Sequence, residues 1–247
     1  MADGSSGLLI GQQDLISVPP EHDEARLRYY CVDRTPLGVI RQGVLWAIDR
    51  HISARVRRPV ILDCSAGEGG FHAVLKQIYP RSHRLAVEPR PECEEHLRRH
   101  AQEVFIGGFL DHEMKVRADV PKAHIIAANP PFADPEENPL WMHFWRACAA
   151  HLLPGGVVVM LGLNELGQRG KKDHAGFKLS PPSDQGRIAG PIKFRGWRRG
   201  ADMRCYSWWV RPEKQRRRAD DVSWRTENLA WLPKEDREWK TIPGHEP

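Results

Sequence analysis

Three short stretches of this 247-residue chain place binding or reactive side chains where a backbone turn would present them. The first, Asp63-Cys64-Ser65-Ala66-Gly67-Glu68-Gly69-Gly70, is a glycine-rich turn after the apolar run Val60-Ile61-Leu62. Glycines let the backbone approach a ligand closely, and open α/β sheets bind ligands at the edge where such turns leave the strands. The Gly-x-Gly-x-x-Gly order of a dinucleotide turn is not met, and Asp63 stands four residues before the first glycine. A carboxylate there repels a pyrophosphate and suits a cation, such as a ligand carrying an ammonium and a sulfonium.

The second stretch ends in Glu88, twenty-five residues after Asp63, where a carboxylate can accept both hydroxyls of a ribose. Pro89 follows it and offers a flat face to an adenine. The third is Asn129-Pro130-Pro131-Phe132, directly after His124-Ile125-Ile126-Ala127-Ala128. Two prolines cannot donate to a sheet ladder, so a strand must stop there and present the Asn129 side chain at the sheet edge. Phe132 adds a stacking surface one step on. A tight turn, a surface acid and a rigid Pro-Pro loop would each explain one stretch alone. In succession they point to a bound nucleoside with a side-chain amide poised beside it.

The elements that must hold these residues alternate. Thr35 reads as an N-cap and Pro36 as the first position of an amphipathic helix running to Val56, with Leu37, Ile40, Val44, Leu45, Ala47, Ile48 and Ile52 at helical spacing. Strands are expected at 60–63, 84–88, 104–106, 124–128 and 156–163, and helices at 70–78, 91–102 and 139–153. That alternation implies a doubly wound, mostly parallel sheet with helices on both faces. Residues 1–22, rich in Gly, Ser, Gln and Pro, read as a flexible leader. A domain spans 23–212, with an irregular basic insert at 164–191 and two last strands at 191–194 and 204–210. A charged, Trp-containing tail fills 213–247.

Charge is uneven along the chain. Residues 165–218 hold fifteen Lys or Arg against five Asp or Glu, on a net charge of +5, the footprint of a polyanion binder or of a solvated basic loop. Five scattered cysteines without a Cys-x-x-Cys pair indicate neither a disulfide framework nor a zinc site. The twelve histidines are expected at the surface, so no metal is assigned. No run approaches a membrane span and no signal peptide opens the chain, so no membrane partner and a cytoplasmic location are expected. The sequence sets no oligomeric state.

Asp63 to Gly70, Glu88 and Asn129 to Phe132, in this order and spacing, resemble the class I S-adenosylmethionine-dependent methyltransferases, and within them the amino methyltransferases acting on adenine N6 or cytosine N4. Arg28 to Val39, with Tyr29-Tyr30 and Thr35-Pro36, is similar to the segment that precedes the core in DNA adenine methyltransferases. Ile192-Lys193-Phe194-Arg195 and Asp202 to Arg211, with Tyr206-Ser207-Trp208-Trp209-Val210, resemble the terminal hairpin of small, often phage-encoded members. The resemblance covers residues 25–212. It implies a Rossmann-like seven-stranded sheet with a C-terminal antiparallel hairpin, and S-adenosylmethionine as cofactor.

The resemblance also implies roles. Thr35, Pro36, Asp63, Ser65, Ala66, Gly67 and Gly69 would surround the methionine part, Glu88 the ribose, and Pro89 with Phe109 the adenine. Asn129 and the Pro130 carbonyl would accept hydrogens from the target amine, with Pro131 holding the loop and Phe132 stacking on an extruded base. The family has an acid just before the Phe109 position, where this chain has Gly108; Asp111 is the candidate substitute. The substrate it favours is adenine N6 in double-stranded DNA, with Lys171, Lys172, Arg198 and Arg199 on the phosphates and little sequence preference. Cytosine N4, guanine N2 in RNA, a protein glutamine, and a nucleic-acid-binding protein without catalysis are the alternatives that share this framework.

Overall fold

The computed structural model describes residues 35–52, 56–110, 115–131, 140–163, 182–192, 203–209, 225–231 and 237. Val60–Asp63 (β1), His83–Glu88 (β2), Glu103–Ile106 (β3), Ala123–Ala128 (β4), Leu152–Leu163 (β5), Asp184–Ala189 (β6), Met203–Trp209 (β7) and Arg225–Trp231 (β8) form one sheet. Its order is β3-β2-β1-β4-β5-β7-β6-β8. Strands β1 to β5 pair in parallel, β7 is antiparallel to both β5 and β6, and β8 lies parallel to β6. The mixed α/β, mostly parallel architecture expected from the alternation is therefore present.

Side chains alternate across each central strand and so divide the core into two layers. Ile61, Ile125, Ala127, Val157 and Val159 face one side, packed with Phe71, Val74 and Leu75 and with Ile40, Val44, Ala47 and Ile48. Leu62, Leu85, Val87, Ile126, Ala128, Val158 and Met160 face the other, covered by Trp141, Trp145, Ala147 and Cys148. Complete burial of an Ile or Leu here contributes about 1.5–3 kcal/mol relative to exposure. Truncating Ile126 to Ala, between two parallel neighbours, would cost about 2–5 kcal/mol.

The helices that supply those residues are α1 (Leu37–Val39), continued through a π-helical turn (Ile40–Val44) into α2 (Leu45–His51), α3 (Gly70–Ile78), α4 (Glu94–Arg98) after a 3₁₀ turn at Pro91–Cys93, and α5 (Leu140–Ala150). A π turn carries more residues than an α turn. It keeps Ile40, Val44 and Ile48, spaced by four, against the same sheet face. The chain leaves this helix at Ile52, which is extended, earlier than the expected Val56.

Several expectations are corrected. Among the described residues the sheet has eight strands rather than seven, with Arg225–Trp231 of the tail as an edge strand beside β6. The partner of β7 in the terminal hairpin is Asp184–Ala189, inside the stretch read as irregular insert, and not 191–194, of which only Pro191 and Ile192 are described. Asp184 and Gln185 are buried polar residues, so β6 lacks the apolar signature of an interior strand. Its carboxylate is held by His51 Nε2 at 2.7 Å and Arg50 Nε at 3.6 Å. His72 is fully buried rather than on the surface, donating from Nε2 to the Leu85 carbonyl at 2.8 Å.

Helix α4 is a single short turn within the expected 91–102, and Leu152 and Leu153, expected at the end of a helix, open β5. No helix among the described residues is long and apolar enough to cross a membrane. Among the same residues no cluster of His, Cys, Asp and Glu has the makings of a metal site.

Candidate active site

Strand order reverses between β1 and β4, whose neighbours diverge toward β3 on one side and β5 on the other. A crevice opens at the carboxyl edge of such a switch point. Three sequence-predicted residues meet there. Asp63 ends β1 in register with Ala86 of β2 and Ala127 of β4. Glu88 stands two residues past Ala86 and Asn129 two past Ala127, so the carboxylates and the amide flank one edge.

The turn after β1 is shaped by its glycines. Gly67 and Gly69 adopt φ of 54° and 88°, in the left-handed region that side chains with a Cβ resist. Gly69 also sits where a Cβ would press on Leu97 and His100, 3.3 and 3.4 Å away. Its carbonyl accepts from Ala73 N–H at 2.9 Å and starts α3, while Ala66 N–H returns to the Val87 carbonyl at 3.1 Å. The turn thereby bridges the β1 and β2 edges.

Asp63 is fully buried and its Oδ1 accepts from Ser65 N–H at 3.2 Å. Oδ2 has no hydrogen-bond partner among the described residues, and neither does Ser65 Oγ. Burial raises the Asp63 carboxyl to about 8, opposed by the Ser65 N–H and reinforced by the Glu88 charge. A buried acceptor of this kind is relieved by a cation or a donor.

Glu88 is also buried but well supplied: Oε2 accepts from Gly67 N–H at 2.7 Å, and Oε1 from Arg90 Nε at 2.8 Å and Arg90 N at 3.3 Å. Arg90 was not singled out by sequence. Its signal, a cation two residues past the strand-ending acid, is too common to stand out.

Asn129 donates from Nδ2 to Thr35 Oγ1 at 3.4 Å, and its Oδ1 is buried without a partner among the described residues. Thr35 does not cap the helix as expected. Pro36 is the N-cap residue, no side chain caps, and the Pro36 carbonyl takes the Val39 and Ile40 N–H groups at 3.0 and 3.2 Å. Thr35 and Pro36 are therefore brought to the loop that carries Asn129, Pro130 and Pro131.

Other predicted residues stand apart or lie elsewhere. Pro89 is exposed beside Glu88. Phe109, 2% exposed, is packed in the core, its ring stacked on Phe144 with centroids 6.0 Å apart. Gly108 is exposed, and a Cβ there would meet the Leu110 carbonyl at 3.2 Å. Asp111, Phe132, Lys171, Lys172, Arg198 and Arg199 lie outside the described residues.

No family model matches the chain. No curated protein matches it either. Among solved structures it is similar to a Listeria monocytogenes protein described as a class I S-adenosylmethionine-dependent methyltransferase, with TM-score 0.60 and 12% identity over 81% of this chain and 66% of that one. It also resembles the type I restriction-modification methyltransferase subunit of Streptococcus thermophilus, with TM-score 0.58 and 11% identity over 78% and 48% of the two chains. The M protein of the type I restriction enzyme EcoKI gives 0.51 and 18% over 71% and 44%. The chain thus spans between 44% and 66% of the length of these three. The likeness is one of fold: the chain shares the Rossmann-like α/β architecture of these three proteins.

Proposed function

We propose that the chain is an S-adenosylmethionine-dependent methyltransferase acting on the exocyclic amine of a nucleic-acid base, with adenine N6 in DNA as its substrate. The observation that carries the reading is a pair of buried polar atoms, Asp63 Oδ2 and Asn129 Oδ1, that have no partner among the described residues and stand at the carboxyl edge of adjacent strands β1 and β4. Buried polar atoms are almost always satisfied in a folded protein, and those that are not commonly await a ligand.

The residues present fit the cofactor. Asp63, with Ser65, Ala66, Gly67 and Gly69, would hold its cationic methionine end, aided by Pro36, while the Thr35 hydroxyl is taken by Asn129. Glu88 would take the ribose hydroxyls and Pro89 the adenine face. Phe109 would meet that adenine only by turning from Phe144. When bound, S-adenosylmethionine supplies a methyl group activated by a sulfonium.

The chain's own task is to prepare the nucleophile. An aromatic amine is weakly nucleophilic because its lone pair is shared with the ring. Asn129 Oδ1 and the Pro130 carbonyl would accept its two hydrogens and turn the lone pair out of conjugation. That is catalysis by placement of acceptors more than by acid or base strength. A base inside a duplex cannot reach this edge, so it must be extruded, with Phe132 stacking on it and Lys171, Lys172, Arg198 and Arg199 holding phosphates.

Mass spectrometry of nucleosides from duplex DNA incubated with the protein and methyl donor tests the proposal. N6-methyladenine is the expected product. N4-methylcytosine would move the target to the other amine, and methyl transfer confined to RNA or to a protein glutamine would overturn the DNA assignment.

A further inference from the structure

We propose that Thr35 is a positioning residue: its hydroxyl holds the nitrogen end of the Asn129 carboxamide so that the oxygen end faces the target amine. The inference rests on the function proposed above and adds to it how the acceptor is oriented. A carboxamide has two ends of nearly equal size and opposite hydrogen-bonding character. Only the oxygen can accept an amine hydrogen; turned over, Asn129 would meet the amine with N–H groups. Something must therefore choose between the two.

Thr35 is built to do so. Its Oγ1 lies 3.4 Å from Asn129 Nδ2, and Asn129 Oδ1 is the end left without a partner among the described residues. The hydroxyl is not spent on capping, since no side chain caps the helix that starts at Leu37. Thr35 as a residue is buried, 9% exposed.

Both ends of the contact are anchored. On one side Pro36 restricts Thr35 to an extended conformation, and the following turn is pinned by Val39 and Ile40, which are fully buried. On the other, Asn129 is caught between the end of β4 and buried Pro130. The 3.4 Å separation is long for a hydrogen bond, as catalytic contacts often are before substrate arrives. The contact also links residues 94 apart in sequence, so it ties the segment before the core to the reactive loop.

The test compares Thr35→Val, which keeps the shape and loses the acceptor, with Thr35→Ser, which keeps the acceptor and loses only a methyl group. Single-turnover methyl transfer should fall about tenfold or more in Thr35→Val, while Thr35→Ser stays within about threefold of the parent. Cofactor affinity by calorimetry should change by less than about twofold in either. In an Asn129→Ala background, Thr35→Val should cost no more than about twofold, since the residue through which it acts is gone. A loss of about tenfold in cofactor affinity, with the rate at saturation unchanged, would assign Thr35 to the cofactor and overturn the proposal.

A second readout does not depend on methyl transfer. Solvent exchange of the Asn129 side-chain amide protons, followed by nitrogen-15 NMR, should be slow in the parent and about fivefold or more faster in Thr35→Val. Equal exchange overturns the positioning role even if no nucleic acid is methylated. A protected amide with no methyl transfer would instead keep the contact and reject the functional reading.

Discussion

Arg90 closes over Glu88: the guanidinium Nε donates to Oε1 at 2.8 Å while Gly67 N–H occupies Oε2 at 2.7 Å. Both partners are nearly buried, with side-chain exposures of 11% and 2%. The carboxylate is thus oriented before any ligand arrives, and ribose hydroxyls would share its oxygens with these donors. Glu88→Ala removes a charged acceptor and leaves the Gly67 N–H unpaired, so cofactor binding should weaken by about 1.5–3 kcal/mol. Arg90→Ala frees an acceptor site and should bind the cofactor no worse than the parent. Calorimetry that finds Glu88→Ala equal to the parent would remove the ribose assignment.

Asp63 provides a pH signature. Burial pushes its carboxyl up to about 8, so the folded protein holds a proton there that the unfolded chain sheds near 4. Its contribution to stability is full below the unfolded value and is lost as pH rises through the folded one. Asp63→Asn should therefore flatten the decline of the denaturant midpoint between about pH 5 and 8. A cationic ligand beside Asp63 favours the carboxylate, so cofactor binding at pH 7 should release a proton. Calorimetric heats in two buffers of different ionisation enthalpy measure that release; identical heats would place the cation elsewhere.

The parallel core was legible because its signals are local and redundant. Val60–Asp63 and Gly70–Ile78 fall at the expected positions, each an apolar run bounded by a turn signal. The crevice was legible for the same reason, since Asp63, Glu88 and Asn129 each terminate a readable strand. What escaped depends on partners distant in sequence. Strand β6 begins with a buried Asp184 that His51 and Arg50 of α2 reach, and neither carries a mark of that role. His72 looks like a surface residue until the Leu85 carbonyl is set against it. Thr35 has the type and position of a cap, yet its hydroxyl is used by Asn129, and β8, Arg-Thr-Glu-Asn-Leu-Ala-Trp, has no alternation to read.

The Asp184 contact should hold the last strands to the helix before the core. Burial lowers the His51 imidazole below its ordinary value, against the raising effect of Asp184, so near neutrality the ring donates an uncharged N–H to the carboxylate. Hydrogen bonds to a charged group are worth about 1.5–3 kcal/mol, and His51→Ala should lower stability by that order. The loss should shrink in an Asp184→Ala background, because the two residues act as one unit. Equal losses in both backgrounds, by chemical denaturation, would show that the contact contributes nothing.

If phosphates are held by the basic stretch, binding must depend steeply on salt. Each neutralised phosphate releases counterions and adds about 0.9 to the slope of log affinity against log salt on duplex DNA. Changing Lys171, Lys172, Arg198 and Arg199 to Gln should weaken binding to every sequence alike and reduce that slope by up to about 3.6. The modified base should stay the same, since phosphate contacts position the duplex and do not read it. An unchanged slope, measured by fluorescence anisotropy over a salt series, would take these four residues out of the interface.

Asn129 is where the geometry and the proposed chemistry meet, and two variants separate its functions. Asn129→Ala removes the Oδ1 that has no partner among the described residues and the donor to Thr35 together. Because a positioned acceptor acts mainly in the transition state, methyl transfer should fall at least about a hundredfold while cofactor affinity stays close to the parent's. Asn129→Asp keeps an acceptor of the same shape, and the Thr35 hydroxyl can rotate and donate to it. The substitution also introduces a third carboxyl at the edge that Asp63 and Glu88 flank, where burial disfavours charge on Asp63. Its rate should therefore lie between those of the parent and Asn129→Ala, and rise with pH as the new carboxyl ionises and can accept both hydrogen bonds. Single-turnover rates at saturating cofactor decide the matter: an Asn129→Ala rate within about threefold of the parent would remove Asn129 from the catalytic step.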